Sequence, residues 1–148
     1  MWIMFIPTSL LTEVFDLPIN WGYGTTLVIS DITILVVLMN LFPRNYKIIL
    51  LTYWLSPITL VAGYVLGYND LVPVMFITLS FYLIKKLKFG WAGFFAVAAV
   101  SAKLSMAIVL PIFVIYLLQS NFSVKKRFDF IAGGSIAFLA LGLPFLIS

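Results

Sequence analysis

The chain has 148 residues, 64% of them hydrophobic, 17% aromatic and only 9% charged. Soluble domains carry about 45–50% apolar and about 25% charged residues, so this composition excludes an ordinary water-soluble monomer and points to a polytopic membrane protein. With no cysteine and no histidine, disulfides, thiolate or imidazole metal sites, cysteine nucleophiles and Ser-His-Asp triads are excluded as well. The net charge of +4 fits cytoplasmic loops facing anionic lipid, and no nucleic-acid partner is expected.

A bilayer core about 30 Å thick needs roughly 20 helical residues to cross it. In chain order, the sequence predicts a short apolar start, Met1–Leu11, then spans at Thr25–Phe42, Ile48–Leu66, Leu71–Ile84, Gly90–Ala102, Leu104–Leu118 and Phe130–Ile147. The expected fold is all-α: a transmembrane bundle of about six spans, several of them short, forming one domain over 1–148. The start has neither a basic leader nor a small-residue cleavage site, so it does not read as a secretory signal. Pro57 and Pro111 fall inside spans and predict kinks, whereas Pro73 stands at a helix start. Gly133, Gly134 and Gly142 predict close helix packing in the last span.

Charge sets the topology. Lys85, Lys86 and Lys88 form one basic cluster, and Lys125, Lys126 and Arg127 form the next. The positive-inside rule places both in the cytoplasm, so the chain between them crosses an even number of times. Gly90–Leu118 is too long for one ordinary crossing, which predicts two short helices turning near Lys103. Arg44 and Lys47 then occupy a cytoplasmic turn and Gly67–Asp70 an outer one, with Glu13, Asp16, Asp31 and Asp70 at or near the outer face. Only Lys103 and Asp129 cross that division.

These off-trend charges are the candidate site residues. Asp31, in VISDITIL, is a carboxylate inside a span, where it costs about 2.5–3.5 kcal/mol and normally faces a cavity or a partner. It lines an outer vestibule, or else it snorkels or bonds to Ser30 or Thr33. Asp70 precedes an apolar helix in the position of an N-cap and can also order a substrate at a cavity mouth. Lys103 pairs with Asp31 or Asp70, or binds a phosphate as a point charge. Glu13 and Asp16 lie in TEVFDLPINWGYG with Trp21 and Tyr23; this stretch reads as a solvated outer loop, or as a carboxylate pair able to hold a divalent cation, Mg or Mn, or to act as a base. Tyr53, Trp54, Tyr82, Trp91 and Tyr116 read as interfacial belt or core packing.

Taken together, YWLSPITLVAGYVLGYND (Tyr53–Asp70), WAGFFAVAAVSAKLS (Trp91–Ser105) after its basic turn, the next apolar run with Pro111, and ISDI (Ile29–Ile32) form an ordered pattern. It resembles GT-C-type integral membrane glycosyltransferases, notably the mannosyltransferase-like, polyprenyl-phosphate-sugar-dependent branch. The resemblance implies transfer of a hexose such as mannose from a polyprenyl-phosphate donor to an acceptor on the non-cytoplasmic face. It also implies that Asp31, Asp70 and Lys103 bind substrate around one outward cavity, Lys103 at the phosphate. The base is unassigned, with Asp16 and Glu13 as candidates. Members of that family carry a catalytic acid in a large first outer loop, and more helices. Since only a short piece precedes Asp31, the chain is expected to be a partial version, with a partner chain supplying the missing helices. The implied location is a bacterial or archaeal plasma membrane or the ER membrane. A non-catalytic membrane scaffold, or a small transporter with an Asp–Lys relay, is the alternative.

Overall fold

The computed structural model describes residues 6–16, 18–65 and 70–147, which are almost entirely helical; no strand occurs among them. Within the single domain expected over 1–148, two compact units are distinguished, Met1–Met75 and Phe76–Ser148.

In the first unit, α1 (Ile6–Val14) packs on α2 (Ile19–Leu41). Gly22 makes the approach possible, because a Cβ there would lie 3.1 Å from the Thr8 carbonyl oxygen and 3.2 Å from the Thr12 methyl. The Thr8 and Thr26 hydroxyls bond across the pair at 2.7 Å. This corrects the sequence reading in one respect. Trp21 and Tyr23 belong to the opening turns of α2, because the chain enters the helix directly after Pro18 and Gly22 serves helix packing.

Along α2 the usual distribution of polarity is inverted. Ser30 and Asp31 are buried beside Leu27, Ile34 and Val37, while Val28, Ile29, Ile32 and Val36 are exposed. The hydroxyls of Thr25, Thr26, Ser30 and Thr33 donate to carbonyls three or four residues back in their own helix. Polar groups that satisfy themselves and apolar groups that face outward suit a helix surrounded by lipid. The stretch Trp21–Leu41 is long and apolar enough to cross a membrane.

The next segment is broken. It opens with a 3₁₀ turn, Pro43–Asn45, and α3 (Tyr46–Ile49), followed by a π-helical turn, Leu50–Trp54. After Leu55–Ser56 it resumes as α4 (Pro57–Leu60) and a second π-helical turn, Val61–Val65. The two halves are bent by 50°. The kink expected at Pro57 is present, and its cause is local. The residue before a proline is driven out of the helical region, and Ser56 is extended, with φ −66° and ψ 123°. Counted as one span, the bent pair is also long and apolar enough to cross.

In the second unit, α5 (Leu71–Lys85), which begins in the first, leads through a tight turn to α6 (Phe89–Ala102). The chain then breaks at Lys103, extended at φ −150° and ψ 116°. A 3₁₀ stretch, Leu104–Val109, continues as α7 (Leu110–Gln119), and α8 (Val124–Ile147) closes the chain. The break predicted at Lys103 is therefore present. Pro111 lies in the first turn of α7, where the 3₁₀ stretch becomes α-helical and its missing amide hydrogen costs nothing.

The closest packing in this unit joins α6 to α8. A Cβ on Gly93 would land on the Phe130 carbonyl oxygen, and one on Gly133 would land on the Gly90 carbonyl oxygen. Gly134 faces Val97 and Gly93. Glycine is required at this crossing for space, as expected for Gly133 and Gly134. Gly142 differs, with nothing within 4 Å of where its Cβ would be. Around the crossing Ile84, Phe89, Ala92, Ala96, Phe113, Leu117 and Phe130 form the core. The rings of Phe81 and Phe113 stack at 4.5 Å, and the Ser80 hydroxyl donates to the Ala92 carbonyl at 2.7 Å.

By length and apolar composition together, the described residues contain one helix able to cross a bilayer, or two with the bent pair; α5, α6 and Leu104–Gln119 are shorter apolar helices. The count of about six spans is therefore not reached on these two criteria.

Candidate functional site

Asp31 is only 2% exposed, among the largest fully buried side chains of the chain. An ionised carboxylate has acceptors and no donor, so it cannot satisfy itself against helix carbonyls as Ser30 and Thr33 do. It must find donors on another segment. The broken segment supplies three. The Tyr53 hydroxyl donates to Oδ1 at 2.8 Å, the Trp54 indole Nε1–H to Oδ2 at 3.1 Å, and the Tyr64 hydroxyl to Oδ2 at 2.7 Å.

The two π-helical turns carry these donors, Tyr53 and Trp54 at the end of the first and Tyr64 inside the second. Such turns add a residue to the helical register and are frequent at functional sites. Asp31 thus ties both halves of the bent segment to α2. The energetics favour the arrangement. Burying the acid in a span costs about 2.5–3.5 kcal/mol, and hydrogen bonds to a charged acceptor contribute about 1.5–3 kcal/mol each. Three of them offset the cost.

The alternatives left open by the sequence resolve as follows. Asp31 does not bond to Ser30 or Thr33, whose hydroxyls are turned to the carbonyls of Thr26 and Ile29. Asp70 stands at the N-cap position of α5, its carbonyl accepting the Val74 amide at 3.2 Å, and its carboxylate is within electrostatic reach of Tyr23. Lys103 lies in the second unit at the α6 break, where its carbonyl accepts the Met106 amide at 2.9 Å. Glu13 and Asp16 are exposed at the end of α1, with Asp16 in the left-handed region at φ 51°. Of the outer turn Gly67–Asp70, residues 67–69 lie outside the described residues, as do residues 1–5 of the apolar start. Among the described residues no three carboxylates gather as a metal site.

Tyr53 and Trp54 are where sequence reasoning falls short, since they read as belt or packing. A signal was present: Tyr53 and Tyr64 are eleven residues apart, about three helical turns, on the segment that follows a buried acid lacking donors.

The second unit brings the two basic clusters to one end. The rings of Phe89 and Phe122, which flank the α6–α7 excursion, meet at 4.9 Å. Lys126 Nζ lies 5.7 Å from the Phe89 ring centre and 5.6 Å from that of Phe122. Lys88 and Asp129 line the same surface groove there. Lys103 sits at the opposite end of α6, about 20 Å away at 1.5 Å per residue. No protein-family model, curated protein or solved structure matches the chain.

Proposed function

We propose that the chain is a multi-pass membrane protein and a component of a glycosyltransferase that moves a hexose, such as mannose, from a polyprenyl-phosphate donor to an acceptor on the non-cytoplasmic face. In that reaction the acceptor oxygen bonds to the sugar's anomeric carbon. The bond from that carbon to the phosphate oxygen breaks, polyprenyl phosphate leaves with the electron pair, and a base takes the acceptor proton. Polyprenyl phosphate is a good leaving group, so the main task of the protein is positioning and charge stabilisation.

The observation that carries this reading is the buried Asp31. The resemblance calls for an acid on this helix, and the acid is retained where an aliphatic side chain would avoid the cost of burial. Both of its oxygens are engaged, so its role is to position rather than to take a proton. It fixes the polar tips of Trp54 and Tyr64 while the two residues stay 41% and 44% exposed, as a wall against which a sugar can lie. Asp70 orders the substrate, and Lys103 takes the donor phosphate. Glu13 and Asp16 remain the candidates for the base, and a partner chain supplies further helices.

The multi-pass reading draws support from the return of the chain between Phe89 and Phe122 to one basic end. It also draws support from the self-satisfied hydroxyls and exposed apolar face of α2.

The test is binding of polyprenyl-phosphate-mannose to the full chain in lipid nanodiscs. Lys103→Met is expected to weaken it about tenfold, one charge-assisted phosphate contact, with the helical circular-dichroism signal unchanged. Binding by wild type no tighter than that of mannose-free polyprenyl alcohol would overturn the reading. It would leave a non-catalytic scaffold, which the saturation of Asp31 by structural hydrogen bonds favours as the second reading.

A further inference from the structure

We propose that a groove on the second unit is a binding site for one anionic phospholipid of the leaflet at the basic end, with its phosphate on Arg127 and an acyl chain along α8. The groove, of about 800 Å³, is lined by Val97, Val114, Ile131, Ser135 and Phe138, with Arg127 also in its lining. Its walls are nearly all hydrocarbon, and its one charged lining residue is a cation.

The geometry matches a lipid in three respects. From Arg127 to Leu139, also in the lining, α8 advances about 18 Å at 1.5 Å per residue. One leaflet of hydrocarbon is about 15 Å deep, half of a core about 30 Å thick, so the groove is as long as a single acyl chain. Arg127 lies at the end where Lys125 and Lys126 also stand, so an anionic head at that end meets the positive cluster. The guanidinium is also set up for an oxygen ligand. Its Nη2 donates to the carbonyls of Ser120 at 3.2 Å and Leu118 at 3.5 Å, which fixes the plane, while the buried Nε–H has no acceptor. Arg127 as a whole is only partly buried, so its guanidinium can also donate to a phosphate oxygen, an acceptor for which arginine is suited.

The site is separate from the candidate transferase residues and does not depend on that reading. A phospholipid is favoured over a neighbouring helix because the one charge in the lining is a cation beside an otherwise apolar wall, which matches an anionic head on a hydrocarbon chain.

The experiment compares dioleoyl phosphatidylglycerol with dioleoyl phosphatidylcholine bound to the full chain in mild detergent, by native mass spectrometry. Wild type is expected to retain the anionic lipid, Arg127→Gln to lose about tenfold of that retention, and Ser135→Trp, which fills the groove, to lose it as well. Lys125→Gln removes the same unit of charge outside the groove lining and is expected to change retention less than about twofold, as for an exposed charge. Equal losses from Lys125→Gln and Arg127→Gln would reveal diffuse attraction to a basic end and overturn the site. So would unaltered retention in Ser135→Trp, or Ser135→Trp dissociating a dimer of the chain without affecting lipid.

Discussion

In the first unit the buried stripe of α2 carries a carboxylate, and three side chains from another segment converge on it. In the second, α6 and α8 meet backbone on backbone at Gly90, Gly93 and Gly133, and the surrounding core is mostly alanine and phenylalanine. On the multi-pass reading proposed above, the hydrophobic effect does not drive helices together, so each contact needs a different source of attraction. The α2 contact takes it from hydrogen bonds to a charge. The α6–α8 contact takes it from van der Waals packing at a distance only glycine allows. The first should therefore respond to loss of a partner atom, and the second to gain of a methyl group.

The largest effect is expected at the glycine crossing. Gly93→Val places side-chain atoms where the Phe130 carbonyl lies, so the helices must separate, at a cost of about 3 kcal/mol or more, the upper end of overpacking penalties. Thermal unfolding in detergent, followed by circular dichroism, measures it. Gly142→Ala on α8 meets nothing within 4 Å and is expected to be neutral or to stabilise by up to about 1 kcal/mol through helix propensity. Equal losses at the two positions would erase the contrast.

Next comes Asp31→Ala, which leaves three donors without their acceptor and is expected to cost about 2–3 kcal/mol in the same assay. Tyr64→Phe removes one of the three bonds from a residue 44% exposed, and about 1 kcal/mol is expected. A Tyr64→Phe loss as large as that of Asp31→Ala would mean that a single bond carries the clamp.

The smallest effect belongs to the turn between α5 and α6. Leu87 is left-handed at φ 60°, with its amide bonded to the Ile84 carbonyl and the Lys88 amide to the Leu83 carbonyl, both at 2.9 Å. This is a Schellman end with leucine where glycine is usual. Leu87→Gly is expected to stabilise by up to about 1 kcal/mol, by relief of left-handed strain.

Much of the helical order was legible because apolar runs and charge clusters punctuate it. The break at Lys103 followed from the parity of crossings between two basic clusters, and Phe89 against Phe122 is the contact that a returning chain makes. The opening of α2 was misplaced because Trp21, Tyr23 and two glycines imitate a loop, and only the neighbouring α1 explains Gly22. At the site, Asp31 was legible as a costly charge, but its partners were not. Spacing along one helix does not reveal which neighbouring segment supplies donors, and the π-helical turns that aim Tyr53, Trp54 and Tyr64 have no signature in composition.

The Trp54 indole N–H tests the Asp31 clamp most directly, because it reports on one of the three bonds without waiting for the protein to unfold. The chain has four tryptophans, so nitrogen-15 labelling gives a small set of indole resonances, and Trp54→Phe assigns the relevant one. In wild type that resonance is expected downfield, as for a hydrogen bond to a carboxylate. In Asp31→Ala it should move upfield while the resonances of Trp2, Trp21 and Trp91 stay in place. An unmoved Trp54 resonance in a folded Asp31→Ala protein would show that the indole never bonded to Asp31, and would contradict the clamp.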